Sequence, residues 1–303
     1  MFTWFFSRKA SRRAGTTPPV QTTTRPGETP QGRRHREDVP YALPKDLEEG
    51  QRLNLQHYIF RYVLRGNYAA PLTEAVGTML DVGSGTGIWG QEMAQLFPSA
   101  RIFGLDLEPP QAISLAASAA TLPENYHFVQ GNLLKGLPFP DAMFDYTHQR
   151  MLVLGIPLQN WPDAIRELLR VTKPGGWVEL LEMGAEILPQ GPATAQFFAW
   201  SLPFLNARGI HPTEMHKLGD MLTGFGLRSV MSRPLDVPLG SWDRRLGTLM
   251  EKDILAAYRA VKPGICQSAG ISAEQLEQCL QEMAQEWKRL KAVYRVYLAY
   301  GQV

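Results

Sequence analysis

The run Thr78-Met-Leu-Asp-Val-Gly-Ser-Gly-Thr-Gly-Ile-Trp-Gly90 constrains this chain more than any other stretch. Met79, Leu80 and Val82 read as a short buried strand that ends on a turn with Gly83, Gly85 and Gly87. Helix-like residues follow from Ile88 to Phe97. Ala100-Arg-Ile-Phe-Gly-Leu-Asp106 is then a second apolar strand that ends in an acid. Strand, glycine turn, helix, strand and terminal acid make a βαβ unit of the nucleotide-binding kind. Glycines let the backbone turn tightly and approach a ligand, and the helix start offers N–H groups without helical partners. A carboxylate about 20 residues further on can accept both hydroxyls of a ribose.

The spacing selects among nucleotides. A dinucleotide fingerprint, G-x-G-x-x-G/A, needs a small residue at position 88, and Ile88 stands there, which disfavours an NAD-dependent oxidoreductase. The run is instead Asp81-x-Gly83-x-Gly85-x-Gly87, with an acid two residues before the first glycine, placed to reach an ammonium rather than a pyrophosphate. It resembles motif I of the class I S-adenosylmethionine (SAM) methyltransferases, and Asp106 matches their ribose-binding acid. Gly131-Asn132-Leu133 resembles the site where that family reads the adenine amino group, commonly with an Asp; Asn132 offers an amide oxygen instead. Phe144-Asp-Tyr-Thr-His-Gln-Arg-Met151 resembles the family's fourth-strand motif, and Leu169 to Glu182, with Lys173-Pro-Gly-Gly176, its turn into the fifth strand.

A narrower set covers roughly 41–301. Tyr41-x-Leu-Pro-x-Asp46, Glu49-Gly-Gln-Arg-Leu-Asn-Leu-Gln-His57, Gly-Thr-Gly-Ile-Trp89, His148-x-Arg150-Met151 and a terminal Tyr300-Gly301 together resemble the LaeA-like methyltransferases of fungal secondary metabolism and their bacterial relatives. The departures are Asn132, Gln149 in place of an apolar residue, and a long basic amino-terminal tail.

The 303 residues, 44% hydrophobic, suit one catalytic domain with additions. Residues 1–40 hold eight basic and three acidic residues, a local charge of +5, which leaves 41–303 at about −3. A mildly acidic body argues against long nucleic acid as substrate. Cys266 and Cys279 have no zinc spacing and read as free thiols in a reducing cytoplasm. No apolar run approaches the length of a membrane span.

Residues 1–38 read as a disordered basic tail and 39–303 as the methyltransferase domain, with its core at 76–183 and helical cap elements near 45–66, 191–224 and 242–289. Further strands are expected at 126–130, 144–148, 177–182, 227–237 and 293–300. Helices are expected at 111–120, 161–171, 193–208, 213–224, 243–260 and 273–289, the last with a Ser272/Gln275 capping box. The fold class is therefore α/β, a doubly wound, mostly parallel seven-stranded sheet of Rossmann-like form. A lid helix precedes the first strand, and helical insertions follow strands five and six.

Ligands of such sheets sit beyond the carboxyl ends of the strands, where strand order reverses. That rule gathers Asp81, Gly83, Gly85, Gly87, Asp106, Leu107, Asn132 and Leu133 as cofactor-binding candidates. Trp89 is either a wall at the methionine end, offering a π face to a sulfonium, or ordinary core. Tyr41 and His57 belong to the amino-terminal lid and are expected to touch cofactor or substrate. His148, at the end of the fourth strand and at the pocket mouth, is the base candidate, with Glu182 beside it; Arg150 is expected in a structural salt bridge. No metal is implied. The resemblance implies SAM as cofactor and a small, largely apolar metabolite as methyl acceptor. The alternatives are a protein or RNA methyltransferase and a SAM-binding regulator without turnover. Oligomeric state stays open.

Overall fold

The computed structural model describes residues 47–110 and 122–303. The basic tail, Tyr41, Asp46 and the helix expected at 111–120 lie outside the described residues. The chain opens with α1 (Leu47–Leu64), and Arg65 ends it by turning left-handed, φ 56°, one residue before the expected stop at Gly66. Then β1 (Thr78–Val82), α2 (Ile88–Leu96), β2 (Arg101–Asp106), β3 (Tyr126–Gln130) and β4 (Phe144–Arg150) follow.

After α3 (Trp161–Val171) and β5 (Thr172–Leu188) come α4 (Pro192–Asn206), α5 (Leu218–Gly224) and β6 (Arg228–Pro238). Three further helices, α6 (Leu246–Ala260), α7 (Lys262–Ala269) and α8 (Ala273–Leu290), precede the closing strand β7 (Val293–Gln302). The sheet order is β3-β2-β1-β4-β5-β7-β6. The first five strands pair in parallel, while β7 runs antiparallel between β5 and β6. This is the expected seven-stranded, mostly parallel sheet, and its order reverses between β1 and β4.

Alternation along β1 divides the core. Met79 packs with Trp89 and Met93 of α2 and with Ile102 and Tyr126. Its neighbours Leu80 and Val82 point to the opposite face, among Ile165 and Leu168 of α3 and Leu218 and Leu222 of α5. Trp161, Ala164, Ile165, Leu168 and Val171 form the single apolar stripe that seats α3. A third cluster joins Phe197 of α4, Met250 and Ile254 of α6 and Leu280, Met283 and Trp287 of α8 to the far ends of β5 and β7.

Four boundaries differ from the sequence expectation. The Lys173-Pro-Gly-Gly176 stretch is a bulge within β5: Phe144 pairs with Thr172, yet Tyr146 pairs with Trp177. β5 then runs on to Leu188, with a second irregularity against β7 between Met183 and Ile187. The helix expected over 213–224 is a 3₁₀ turn, Pro212–Lys217, followed by α5. Helix α7 was not expected; only eight residues long, it is bounded by Pro263 in its first turn and by Gly270 at φ 66°. The capping box is present: Gln275 N–H donates to Ser272 Oγ at 3.2 Å, and Ser272 N–H donates to Gln275 Oε1 at 2.8 Å. Among the described residues no helix is long and apolar enough to cross a membrane.

Candidate functional site

Beyond the carboxyl ends of β1, β2, β3 and β4 lies a cavity of about 140 Å³. The β1–α2 turn forms its floor. Gly83, Gly85 and Gly87 take φ values of 74°, 54° and 74°, a left-handed series that suits glycine. At Gly83 a Cβ would lie 2.4 Å from the Leu152 side chain, so the turn and the segment after β4 meet with no room for one. Gly87 stands outside the cavity lining; it caps α2, and a Cβ there would lie 2.7 Å from Tyr126 Oη.

Asp106 ends β2 with its carboxylate held at both oxygens. Gly85 N–H donates to Oδ2 at 2.8 Å and Leu107 N–H to Oδ1 at 2.7 Å. Two backbone donors, one on each oxygen, fix the direction of this carboxylate. Leu107, Asn132 and Leu133 line the same end of the cavity. The Asn132 amide oxygen accepts from Leu134 N–H at 2.9 Å, capping a short 3₁₀ turn, so part of its acceptor capacity is local.

At the other end stand Asp81, Trp89 and Arg150. Asp81 and His148 are register partners on β1 and β4, and His148 Nδ1 donates to Asp81 Oδ1 at 2.8 Å. The His148 ring lies flat against the Trp89 indole, centroids 4.1 Å apart and planes 4° apart, so one face of that indole is taken. The indole N–H is taken as well, donating to Asn67 O at 2.7 Å.

The two base candidates are placed differently from the expectation. His148 is buried and outside the cavity lining, because parallel register sets it beside Asp81 under Trp89 rather than at the mouth. Glu182 is fully buried on β5 and accepts from Leu152 N–H at 3.0 Å, Val153 N–H at 3.0 Å and Gln149 Nε2 at 3.2 Å. Burial pushes its carboxyl up to about 7, partly opposed by those donors.

His57 also stands outside the lining, and it buttresses Arg150. Arg150 Nη2 donates to His57 Nδ1 at 3.1 Å, while His57 Nε2 lies 3.1 Å from Glu92. Burial, then the adjacent Arg150 charge, pulls the His57 pKa down to about 4, so the ring is neutral near pH 7. Its proton then sits on Nε2, leaving Nδ1 to accept.

Helix α1 supplies wall residues that single-residue reasoning missed. Glu49, Leu53 and Gln56 line the cavity. Their spacing, i, i+4 and i+7, is one helical face and was the available signal. The polar pair is braced from behind. Arg52 donates to both Glu49 oxygens, at 2.6 and 2.8 Å, and its Nη1 meets Asp253 of α6 at 2.7 Å. Gln56 Nε2 reaches the other Asp253 oxygen at 3.1 Å.

A second cavity, about 70 Å³, lies under α4, α6 and α7. Its wall is almost wholly apolar, with Met183, Phe197, Leu202, Phe204, Ile254 and Ile265 prominent. Residues 151–156 stand between the two spaces: Met151, Leu152, Gly155 and Ile156 face the first, Val153 and Leu154 the second. Glu182 holds the middle of that partition by its two backbone amides.

The first cavity suits an adenosyl amino acid. One end has a rigidly held carboxylate beside Leu107 and Leu133, and the other pairs Asp81 with Arg150, opposite charges for a zwitterion.

Residues 79–176 match the family model described as a methyltransferase domain. The N-methyltransferase gliN of Aspergillus fumigatus is 24% identical over 86% of this chain and 96% of its own length. The secondary metabolism regulator LAE1 of Cochliobolus heterostrophus is 27% identical over 67% of each chain. The YcgJ protein of Bacillus subtilis shares the fold, with a TM-score of 0.50 at 17% identity over 82% of this chain and 98% of that one. Glycine turn, sheet order and these relatives agree: residues 79–176 are a methyltransferase domain with the class I SAM-dependent fold, and the chain is similar over most of its length to fungal secondary-metabolism methyltransferases.

Proposed function

We propose that this methyltransferase acts on a small, largely apolar metabolite whose body occupies the cavity under α4, α6 and α7. The observation that carries this reading is the apolar wall behind the 151–156 partition, next to the cavity that suits the cofactor. Such a wall favours apolar surface at about 25 cal/mol per Å² removed from water and offers little to a charged peptide or an RNA backbone.

When bound, SAM supplies a methyl group on a sulfonium, so the chain's task is alignment and the exclusion of water; alignment alone can contribute roughly 7–11 kcal/mol. Asp106 orients the ribose, while Leu107 and Leu133 flank the adenine. Asp81 receives the ammonium of the methionine end. The carboxylates of the cofactor cavity are all engaged: Glu49 with Arg52, Asp81 with His148, and Asp106 with two amides. His148 and Glu182 are out of reach behind the wall. The acceptor is accordingly a nucleophile that needs no deprotonation, such as a neutral amine or ring nitrogen, and the N-methyltransferase name of one relative supports this.

The test is an acceptor screen with methyl-tritiated SAM, using apolar amines, phenols, bulk protein and RNA. Label on an apolar amine is expected. Label on protein or RNA alone would sink the reading, and so would no transfer to any of them by folded protein that binds S-adenosylhomocysteine.

A further inference from the structure

Gln56 is a polar side chain in the wall of the cofactor cavity, 6% exposed, and only one end of its amide has a partner. Its Nε2 donates to Asp253 Oδ2 at 3.1 Å, while the other Asp253 oxygen takes Arg52 Nη1 at 2.7 Å. Asp253 is fully buried on α6; burial raises its carboxyl, and the Arg52 charge opposes this. A carboxylate beside a guanidinium can only accept. The amide therefore has one orientation, with its nitrogen toward α6 and its carbonyl oxygen turned away. Among the described residues that Oε1 has no hydrogen-bond partner, and it keeps an accessible face in the cavity wall.

A carbonyl acceptor left open in a mostly buried wall fits a ligand that brings an N–H or O–H. Asp253 adjoins Ile254, and Ala257 lies one turn further along the same helix; both line the apolar cavity. The direction of the Gln56 amide is thus set by the helix that roofs the acceptor space, whereas the ribose and the ammonium of the nucleoside are already assigned to Asp106 and Asp81. An amide oxygen is also nearly nonbasic, so it holds a hydrogen bond without taking the proton.

We propose that Gln56 Oε1 accepts the N–H of the methyl acceptor, an apolar primary or secondary amine, with Asp253 as the positioning residue that turns the carbonyl toward it. This rests on the apolar-amine reading given above and narrows it, since a tertiary amine has no such hydrogen to offer. One N–H held to the wall fixes where the nitrogen lone pair points, the alignment on which methyl transfer depends. As the lone pair forms the bond to the methyl carbon and the carbon–sulfur pair stays on sulfur, the nitrogen turns positive and its N–H becomes a stronger donor. The contact is then tighter in the transition state than in the bound amine, so it raises turnover as well as binding. The proton stays on nitrogen until the product ammonium meets water.

The test is calorimetry on protein saturated with S-adenosylhomocysteine, using para-butyl-N-methylaniline, which has one N–H, and para-butyl-N,N-dimethylaniline, which has none. Both stay unprotonated at mildly alkaline pH. Wild type is expected to bind the first about 5–20-fold tighter, the scale of one hydrogen bond to a group otherwise left unpaired. Gln56→Leu should bring the two probes within about twofold of each other and keep S-adenosylhomocysteine within about threefold of wild type. Transfer of tritiated methyl to the N–H probe should fall about tenfold or more in that variant, in kcat as well as in kcat/KM. Asp253→Asn offers an N–H of its own to the Gln56 oxygen, so the amide can turn over. The ratio between the two probes should then fall toward unity, a readout that loss of packing alone does not move.

Three results would each overturn the assignment: equal affinity of wild type for the two probes, a preference that survives in Gln56→Leu, or a loss in that variant that falls on S-adenosylhomocysteine itself. The first needs only wild type, so a misfolded variant does not shelter the idea. Failure of both probes to bind protein that holds the nucleoside is a different result, and it overturns the apolar-amine reading along with this one.

Discussion

The two cavities are built by different means. The wall of the cofactor cavity comes largely from short local runs at the ends of neighbouring strands, with 81–89, 105–107, 131–134 and 150–156 in register. The apolar cavity is assembled from pieces far apart in the chain: 153–154, the β5 irregularity at 183–185, α4, α6, α7 and Tyr294 of β7. A site whose parts lie in contiguous runs tolerates little variation at single positions, because turn and strand ends meet there without spare room, as Gly83 and Leu152 do. A site made of side chains from many elements can change its shape piece by piece.

Four experiments would break or sharpen that contrast. The largest effect belongs to Gly83→Val, which needs a β-branched residue at φ 74° and drives a side chain into Leu152. Strain and overpacking of about 1–3 kcal/mol each predict at least a 100-fold loss of S-adenosylhomocysteine affinity by calorimetry, with circular dichroism unchanged. Next comes Ala257→Phe, which fills the apolar cavity from α6. Methyl transfer should fall by about tenfold or more while nucleoside affinity stays within about twofold, since overpacking of that size acts at the acceptor alone. Equal damage to both would erase the distinction between the cavities.

Asp106→Ala should weaken S-adenosylhomocysteine by about 1.5–3 kcal/mol, measured the same way, the cost of losing a charged hydrogen-bond partner. The fourth effect is on stability and leaves binding aside. Burial raises the Glu182 carboxyl from 4.5 to about 7, so the native state holds this proton where the unfolded chain has lost it. The contribution is therefore fully present below about pH 4.5 and fades as pH rises through 7, reaching a loss of about 3 kcal/mol. Glu182→Gln should flatten that part of the profile between pH 5 and 8 in denaturant titrations. An unaltered slope would mean that the partition carries no titrating anchor.

The same contrast explains what the sequence could disclose. Alternating Gly83, Gly85 and Gly87, the acid at 106 and the apolar runs of β1 and β2 are local signals, and they placed the βαβ unit and its cavity. Register is not local. Only the pairing of Asp81 with His148 across β1 and β4 reveals that this histidine lies under Trp89 and away from the mouth. Arg150 was misjudged for the same reason, because the absence of an ion partner for it among the described residues is a fact about several strands at once. Glu182 ends an apolar run that looks open toward solvent, yet β5 continues six residues further to Leu188 and closes over it. The bulge at Lys173–Gly176 hid as a turn because two glycines and a proline serve either purpose.

Arg52 and Gln56, projecting from the helix over the nucleotide, both grip Asp253 on the helix that roofs the acceptor space. The walls of the two cavities thus share one buried anchor, so a substitution at Asp253 is felt on both sides at once.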